Sequence, residues 1–496
     1  MIGTTLFELI FIRITITLLR LVAPLSPIYL VVEYWRGTLD FASPLTLYAL
    51  LEFAFFALVY LPRKSHLQKP AKHPVLTREQ RKELFNKCIN PLGSEDIHAP
   101  SAWFNFVPVS LVNRDNFVEW LYWAIFSSTV EDGEEFSSEV EEYLEELEQR
   151  GERELVPGHD PMIKPIRVTL DPVHTTHRPL VWYLLVALVD TFSFLILCTL
   201  GFKHHNSGSI FHVFPPRPFT IFSNSSPVPL PYWYRPHRSN TKSPVLFLHG
   251  IGIGLQPYLP FIRELSKEDP DLGIIIVEIL PICNRITRPP LDREATCLSI
   301  SQILATHNLD RVVIVAHSFG TAIASYMLQH LELSQKVTAT LLVDPITFLL
   351  HHPSVAYNFL YRTPKRANEW QLWYFASRDP DIARMLGRHF FWNECIMWKE
   401  DLDGGKRLAV VLSEEDQIVN AKAVRKYLTG EEGLRWEGGG LEVVWYPGLD
   451  HATVWDTKER REPMLEIVRR FTITVPAEGS SNGSADVSDL PTELEV

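Results

Sequence analysis

One serine in this chain stands where a nucleophile would be activated. Ser318 follows the apolar run Val312–Val315 and precedes the small-residue stretch Thr321–Ser325. The pattern predicts a strand, a tight turn with the serine at its apex, and a helix whose positive end faces the hydroxyl. Such a turn needs small residues two positions before and after the serine, and Ala316 and Gly320 meet that need.

The segment Ala316–Gly320 (AHSFG) resembles the nucleophile elbow of the α/β-hydrolase superfamily, Gly-x-Ser-x-Gly, with alanine in place of the first glycine. The resemblance covers residues 243–476 and implies an α/β fold, with a mostly parallel sheet, helices on both faces and a helical lid. It also implies an oxyanion hole formed by the backbone N–H groups of Ile251 and Phe319. A phosphate-binding loop at His249–Gly254 is disfavoured, because no Gly-Lys-Ser/Thr follows it.

Two further polar residues follow predicted strands downstream of the serine. Asp416 comes after the strand predicted at Leu408–Leu412, and His451 comes after the one predicted at Leu441–Trp445. The order Ser318, Asp416, His451 is the order that the superfamily uses for its catalytic triad. A neutral imidazole would take the serine proton, while the carboxylate would orient the ring and stabilise the imidazolium.

Other residues compete for the role of the acid. Asp344 directly follows the strand predicted at Ala339–Val343, a position at which some members of the superfamily carry the acid, and Glu414 and Glu415 are further alternatives. A turn-capping role before Pro345 is the other interpretation of Asp344. His317 adjoins the serine too closely to turn back to it, so we expect its ring to pack at the turn.

Residues 346–407 form an insertion between two predicted strands that is too long for a simple connection. Its many aromatic residues indicate a lid over an apolar acyl pocket, although ordinary packing of helices on the sheet is the alternative. We therefore expect a serine hydrolase that cleaves a hydrophobic carboxylic ester, such as a lipid, through an acyl-enzyme on Ser318, without metal or organic cofactor. Acyl transfer, suggested by an H-x4-D pattern at His451–Asp456, and a non-catalytic binding scaffold are the alternatives.

The N-terminal half is predicted to be mainly helical and membrane-associated. Leu45–Leu61 is apolar and long enough to approach a membrane span, and Arg63 begins its basic flank. Ile2–Val32 is interrupted by charges and broken by two prolines, so an interfacial or re-entrant helix fits it as well as a membrane span does. Leu180–Leu200 is a candidate span or a membrane-lying or buried helix, since Asp190 near its midpoint disfavours contact with lipid.

These patterns predict five segments along the chain. They are membrane-associated residues 1–62, a helical region 63–207, a Pro/Ser-rich linker with the first strands 208–242, the hydrolase domain 243–476 and a disordered acidic tail 477–496. As a whole the chain resembles fungal membrane-associated α/β-hydrolases with N-terminal extensions. We expect an endomembrane location, with the endoplasmic reticulum as the candidate.

Charge and cysteine content argue against nucleic-acid-binding, disulfide-stabilised and zinc-binding classes of protein. The formal net charge of −12 argues against nucleic acid as a partner, because phosphates require a basic surface. Much of that acidity lies between Glu131 and Glu154, where an amphipathic helix is predicted. The acidic face of this helix would be exposed to solvent, or would bind calcium or a basic partner. Five cysteines without a CxxC pair indicate neither a disulfide framework nor a cysteine-ligated zinc site.

Overall fold

The computed structural model describes residues 2–89, 99–151, 154–402 and 405–473; the predicted tail, residues 477–496, lies outside them. Strands within these residues are β1 Lys203–Asn206, β2 Asn224–Ser225, β3 Tyr232–Arg235, β4 Val245–Leu248, β5 Ile274–Val277, β6 Val312–His317, β7 Val337–Val343, β8 Arg407–Ser413, β9 Arg435–Gly438 and β10 Leu441–Tyr446. They form one sheet in the order β2-β1-β3-β5-β4-β6-β7-β8-β10-β9.

The middle of this sheet is parallel and its two margins are mostly antiparallel. Strands β5, β4, β6, β7, β8 and β10 pair in parallel, whereas β3 runs antiparallel to β5 and β9 antiparallel to β10. The parallel strands are the near-continuous apolar runs expected of strands buried on both faces. The sequence does not predict β1, β2 or β9, because these edge strands are short and polar, as in Lys203–Asn206 (KHHN).

Helices cover both faces of the sheet, which confirms the predicted fold class. In chain order they include α1 Leu6–Arg36, α2 Pro44–His66, α3 Arg78–Ile89, α4 Arg114–Phe126, α5 Ser137–Arg150, α6 Leu180–Thr199, α7 Leu259–Glu268, α8 Arg293–Thr306, α9 Gly320–Gln329, α10 Leu331–Lys336, α11 Ala367–Leu372, α12 Pro380–Arg388, α13 Trp392–Cys395, α14 Ala421–Thr429 and α15 Lys458–Thr472. Single turns such as Ser354–Ala356 connect several of them. The helix predicted after Ser318 is α9, which ends at Gln329 because His330 is extended and its side chain caps α10.

The core divides according to the alternation of side chains along each strand. Leu246 and Leu248 of β4 belong to a cluster that also holds Trp103, Trp123 and other residues of the N-terminal region. Their neighbours Val245 and Phe247 belong to the opposite cluster, with residues of α6, α7 and α15. The sheet therefore packs N-terminal residues against both of its faces.

Helix α1 corrects the expectation that prolines break the first apolar segment. It runs unbroken from Leu6 to Arg36 with Pro24 and Pro27 inside it, and a capping box of Thr5 and Glu8 starts it. Each proline removes one backbone donor, at a cost of about 3 kcal/mol. Packing on other elements offsets this: Ile12 and Ile16 are buried in a small cluster with residues of the insertion.

The other two apolar segments are also single helices, each tied to the protein by a carboxylate. Glu52 of α2 is fully buried; it accepts hydrogen bonds from the Leu180 N–H at the start of α6 (2.8 Å) and faces His177 Nε2 at 2.8 Å. Asp190, in the middle of α6, pairs with Arg217 (3.0 Å) and Arg285 (3.1 Å). Both apolar helices thus carry their charge toward protein and away from their exposed sides.

The acidic helix predicted near residues 131–154 is observed as α5, and its basic partners lie within the chain. Glu139 forms a buried ion pair with Arg81 of α3 at 2.6 Å. Lys82, also on α3, contacts Glu142 (3.3 Å) and Glu146 (2.8 Å). The concentration of acidic residues therefore matches the basic face of a neighbouring helix.

Candidate active site

The candidate site lies where the carboxyl ends of the parallel strands meet. The register pairs Leu248 with Ala316 and Val343 with Val411, so the loops after β4, β6, β7 and β8 leave the sheet at the same edge. Tyr446 at the end of β10 pairs with Ser413 at the end of β8. Ligands of open α/β sheets bind at this edge.

Ser318 sits at the apex of the turn between β6 and α9, as the sequence predicts. Its φ of +50° lies in the left-handed region, and its N–H donates to the Val343 carbonyl at 3.0 Å. A Cβ at Gly320 would lie 2.2 Å from the Leu248 carbonyl oxygen. Only glycine fits there, because α9 begins against the backbone of β4.

Ser318, His451 and Asp416 lie in one line of hydrogen bonds. The Ser318 Oγ is 2.8 Å from His451 Nε2, and His451 Nδ1 is 2.6 Å from Asp416 Oδ2. The second oxygen of Asp416 accepts from the N–H groups of Ile418 (2.8 Å) and Val419 (2.9 Å). The backbone thereby fixes the carboxylate, and the carboxylate fixes the ring, which is the arrangement that base-activated attack by serine requires.

The charges around His451 favour its protonated form. Burial opposes protonation, but the adjacent Asp416 carboxylate outweighs it, with smaller contributions from Asp344 and Asp450, and raises the pKa of His451 to about 9. An imidazolium that forms during proton transfer from serine is therefore stabilised where it stands. The same charges require a higher pH before the free ring is neutral.

Asp344, the alternative acid, has a different position. One of its oxygens accepts from the Ser413 N–H at 3.0 Å and the other from the Ala452 N–H at 2.9 Å, next to the histidine. Burial, followed by the nearby Asp416 charge, raises the pKa of Asp344 above its usual range. Its oxygens bind backbone N–H groups of the two neighbouring loops, and the histidine ring nitrogen is bound by Asp416.

Glu414 and Glu415, the other candidate acids, do not bind the histidine ring, whose two nitrogens face Asp416 and Ser318. A Glu414 oxygen accepts from the Gly448 N–H at 2.9 Å, and another lies 3.6 Å from Lys422 Nζ. The backbone N–H of Glu415 donates to the Leu449 carbonyl at 2.8 Å. These contacts hold the loop that carries Asp416 against the loop that carries His451.

His317 packs at the turn, as expected, but it has a partner that the sequence does not indicate. Tyr258 Oη accepts from the Gly250 N–H (3.0 Å) and is hydrogen-bonded to His317 Nδ1 at 2.8 Å. Burial, followed by the proximity of His451 and His249, keeps the pKa of His317 far below its usual range. A neutral histidine thus links the serine turn to the loop after β4.

Asp450 is a residue of the site that sequence reasoning missed. Its carboxylate accepts from the N–H of His451 (2.7 Å), from the N–H of Gln417 (3.0 Å) and from Asn368 Nδ2 (2.6 Å). Asn368 lies on α11 of the insertion, beside Ala367, which packs in the cluster that contains Ile12 and Ile16 of α1. The histidine loop, the acid loop and the insertion therefore meet at one carboxylate.

The two residues assigned to the oxyanion hole line the same cavity as the serine. Ile251 follows β4, and Phe319 immediately follows the serine. Within the described part of the chain, neither backbone N–H has a hydrogen-bond acceptor. Two unpaired donors beside a nucleophile suit an oxyanion, although this assignment stays a prediction.

The cavity above Ser318 has about 800 Å³ of empty space and is almost entirely apolar. The insertion supplies one wall, including Leu350, Phe359 and Phe390. The opposite wall comes from the N-terminal region and includes Trp103 and Trp123, both buried, which no sequence motif indicates. Not all aromatic residues of the insertion contribute: Trp370, Trp373 and Phe375 pack against α1 instead.

Among the described residues, one cluster has the donor types of a metal site. Ligand atoms of Asp344, Asp416 and His451 lie within 4.8 Å of one another. Each of these groups already holds the hydrogen bonds described above, to backbone N–H groups or within the triad. The donor set therefore fits a hydrogen-bonded triad with a supporting carboxylate better than a metal centre.

Comparison with known proteins agrees with this fold. Residues 243–397 match the family model described as alpha/beta hydrolase fold, and no curated protein sequence matches the chain. Similar solved structures include a carboxylesterase of Nitrososphaera gargenis (15% identity, 50% of this chain and 97% of that one, TM-score 0.35). A second is a membrane phospholipase A described as a bacterial virulence factor (14% identity, 58% of this chain and 94% of that one, TM-score 0.36). A third is a 2-hydroxy-6-oxo-6-phenylhexa-2,4-dienoate hydrolase of Rhodococcus sp. strain RHA1 (14% identity, 54% of this chain and 98% of that one, TM-score 0.36).

The family match ends inside the insertion, at residue 397, whereas the sheet continues to Tyr446. The elbow, the loop after β4 and the four parallel strands β4 to β7 lie within the matched residues. Residues 243–397 thus match the alpha/beta hydrolase fold, and the sheet that contains them continues beyond the match at both ends.

Proposed function

We propose that the protein is a serine hydrolase that cleaves a carboxylic ester with a hydrophobic acyl group. The observation that carries this proposal is the hydrogen-bonded line of Ser318, His451 and Asp416 at the floor of an apolar cavity. A polar chain of this kind beneath an apolar pocket suits an acyl group whose carbonyl sits at the serine and whose tail extends upward.

The reaction proceeds in two steps. Ser318 Oγ attacks the carbonyl carbon while its proton moves to His451 Nε2, and the carbonyl oxygen becomes an oxyanion at the N–H groups of Ile251 and Phe319. The C–O bond to the leaving alcohol breaks as His451 returns the proton to it, leaving an acyl-enzyme. Water then attacks this ester with His451 as the base, and releases the carboxylic acid and the free serine.

A fluorophosphonate probe tests the nucleophile, because it phosphonylates activated serines. Full-length protein in detergent should be labelled, and Ser318→Ala should lose labelling and ester turnover. Ser334→Ala, a change on the exposed helix α10, is the matched control and should be labelled like the wild type. Equal labelling of Ser318→Ala and wild type would overturn the assignment. Alkyl esters formed when an alcohol is added during turnover would reveal acyl transfer.

We further propose that the protein is attached to a membrane through α1, α2 and α6, with α6 lying along the surface of the bilayer. Two helices, Pro44–His66 and Leu180–Thr199, are long and apolar enough to cross a membrane. On α6, large apolar side chains are exposed along one stripe, while Asp190 on the other side is paired with arginines: the stripe consists of Val181, Leu184, Leu185, Leu188, Phe192 and Leu195. A helix packed on protein along its length presents only that stripe to lipid.

The orientation of α6 can be measured by cysteine labelling. In a Cys198→Ser background, His174→Cys and Lys203→Cys place thiols at exposed positions on either side of α6. An impermeant maleimide should label both from the same side of sealed vesicles. Labelling from opposite sides would show that α6 crosses the bilayer. Glycan occupancy at Asn224 (N-S-S), which is exposed, reports whether the hydrolase half faces the lumen.

A further inference from the structure

A second cavity lies behind the one that holds Ser318. It has about 1690 Å³ of empty space, part of it open to solvent, and is bounded by α3, α4 and α5. Its lining is mostly apolar, with Phe85, Phe117, Leu121 and Leu147 among its walls, and polar groups are concentrated around Arg150. We call it the rear cavity and the one above Ser318 the front cavity.

Three tryptophans separate the two cavities and line both. They are Trp103, Trp123 and Trp392, which come from three distant parts of the chain. The rings of Trp103 and Trp123 are in contact, with centroids 5.2 Å apart. These three tryptophans therefore form a wall that the two cavities share.

The indole N–H groups of this partition all point to protein acceptors. Trp103 donates to the His351 carbonyl (3.1 Å), Trp123 to Thr169 Oγ1 (3.2 Å) and Trp392 to the Ala124 carbonyl (3.2 Å). A buried indole needs such a partner, and once it is satisfied the rest of the ring is apolar. These three rings therefore present no unpaired donor to a hydrocarbon chain.

Trp392 is the member of the partition that is most free to move. Trp103 and Trp123 are only 5% and 4% exposed, whereas Trp392 is half-buried. It also begins α13, a helix of four residues that follows the extended Phe391. A change of its rotamer would break one hydrogen bond and would leave the sheet and the triad in place.

We propose that the rear cavity is a subsite for the distal part of a long acyl chain, and that Trp392 controls access to it. This inference rests on the proposed esterase activity and narrows its substrates to long-chain acyl esters. An acyl group bound at Ser318 fills the front cavity first and reaches the tryptophans with its tail. Apolar walls on both sides of the partition favour further methylene groups, since each one buried contributes about 0.8 kcal/mol.

Chain-length profiles test the subsite in full-length protein. The wild type should hydrolyse p-nitrophenyl esters of 12 to 16 carbons, and Leu121→Trp, which fills the rear cavity, should lower kcat/KM for the 16-carbon ester about tenfold. The same variant should leave the 4-carbon ester unchanged. Trp392→Ala should raise the ratio of 16-carbon to 4-carbon activity. Phe391→Ala, which changes the front cavity alone, is the matched control for lost aromatic volume.

Photo-crosslinking provides a readout that needs no catalysis. A 16-carbon fatty acid with a diazirine at its tail, bound to Ser318→Ala, should crosslink to the peptide that contains Phe117 and Leu121. An 8-carbon analogue should crosslink only to front-cavity residues such as Phe359. Crosslinks of the long probe confined to the front cavity, or equal chain-length profiles in wild type and Leu121→Trp, would overturn the subsite. Ester turnover with such a result would refute the subsite alone, whereas rear-cavity crosslinks without serine labelling would refute the esterase proposal alone.

Discussion

The two sides of the candidate site are built in opposite ways. On one side, loops at the strand ends hold Ser318, Asp416 and His451 through short hydrogen bonds, many of them from backbone N–H groups. On the other side, the cavity wall is assembled from tryptophans of the N-terminal region and the insertion, held mainly by packing. We therefore expect substitutions in the strand-end loops to affect kcat, and substitutions in the cavity wall to affect stability and substrate choice.

The largest expected effect concerns the acid. Asp416→Asn should lower kcat by about 10⁴-fold, because an amide leaves the histidine in the wrong tautomer while keeping the geometry. Kinetics with a short-chain ester measure this effect, and thermal unfolding should be unchanged. Glu415→Gln on the same loop serves as the control and should retain nearly full activity. A greater loss in Asp344→Asn than in Asp416→Asn would instead assign Asp344 as the acid.

In the N-terminal region, outside the strand-end loops, the largest effect should be on the stability of the fold. Arg217 is 5% exposed and contacts both Asp190 of α6 and Glu278, at 3.0 and 2.7 Å. Arg217→Met should reduce the free energy of unfolding by about 3–5 kcal/mol, because it removes a buried guanidinium that pairs with both carboxylates and leaves Asp190 with Arg285 and Glu278 with His204. Denaturant unfolding in detergent would measure it, with exposed Arg238→Met as the control. Unchanged stability would show that α6 is not held by this pair.

Asp450 stands where the two sides meet, and its replacement should have an intermediate effect. Asp450→Asn weakens the contacts with the His451 N–H, Gln417 and Asn368, so we expect about a hundredfold loss in kcat with little change in KM. Because Asp450 positions the ring and does not touch substrate, fluorophosphonate labelling should be slowed but not abolished. Asn368→Ala, which removes only the contact with the insertion, should lose less. A normal kcat in Asp450→Asn would refute the positioning role.

The smallest effect is a change in pH dependence. Because negative charges raise the pKa of His451 to about 9, kcat/KM should increase with pH up to that region, where the ring becomes neutral and can act as a base. Removing the charge of Asp344 with Asp344→Asn lowers the pKa of His451, so the rising limb should move to lower pH. A pH profile of kcat/KM measures the shift. Movement of the limb to higher pH would contradict the charge assignment.

The same contrast explains what could be predicted from sequence. Ser318, Asp416 and His451 were accessible because each follows an apolar strand, and the ends of parallel strands meet at one edge. Tyr258 and Asp450 were not, because their roles depend on which loops face each other across the site. The wall formed by Trp103 and Trp123 could not be predicted either, because an aromatic-rich segment has the same sequence pattern whether it lines a pocket or packs in a core.

Charge patterns were also ambiguous until the helices were placed. Pro24 and Pro27 indicated a broken segment, yet α1 continues through both, because contacts with the insertion compensate for the lost hydrogen bonds. The charge of Asp190 indicated that its side of α6 does not contact lipid, and the arginine partners of Asp190 agree with that interpretation. Sequence identified the groups that needed partners, but only the fold shows which partners they have.

The strands β1 to β3 carry a consequence for engineering this protein. They lie before residue 243, outside the family match. Nevertheless β3 pairs with β5 and β1 pairs with β3, in the same sheet as the strands that precede Ser318, Asp416 and His451. A fragment that began at residue 243 would expose the edge of β5, remove Trp103 and Trp123 from the cavity wall and open the cavity above Ser318 to water. The smallest unit able to fold and select its substrate is therefore larger than the unit shared with other hydrolases, and shortened versions should aggregate at that bare edge.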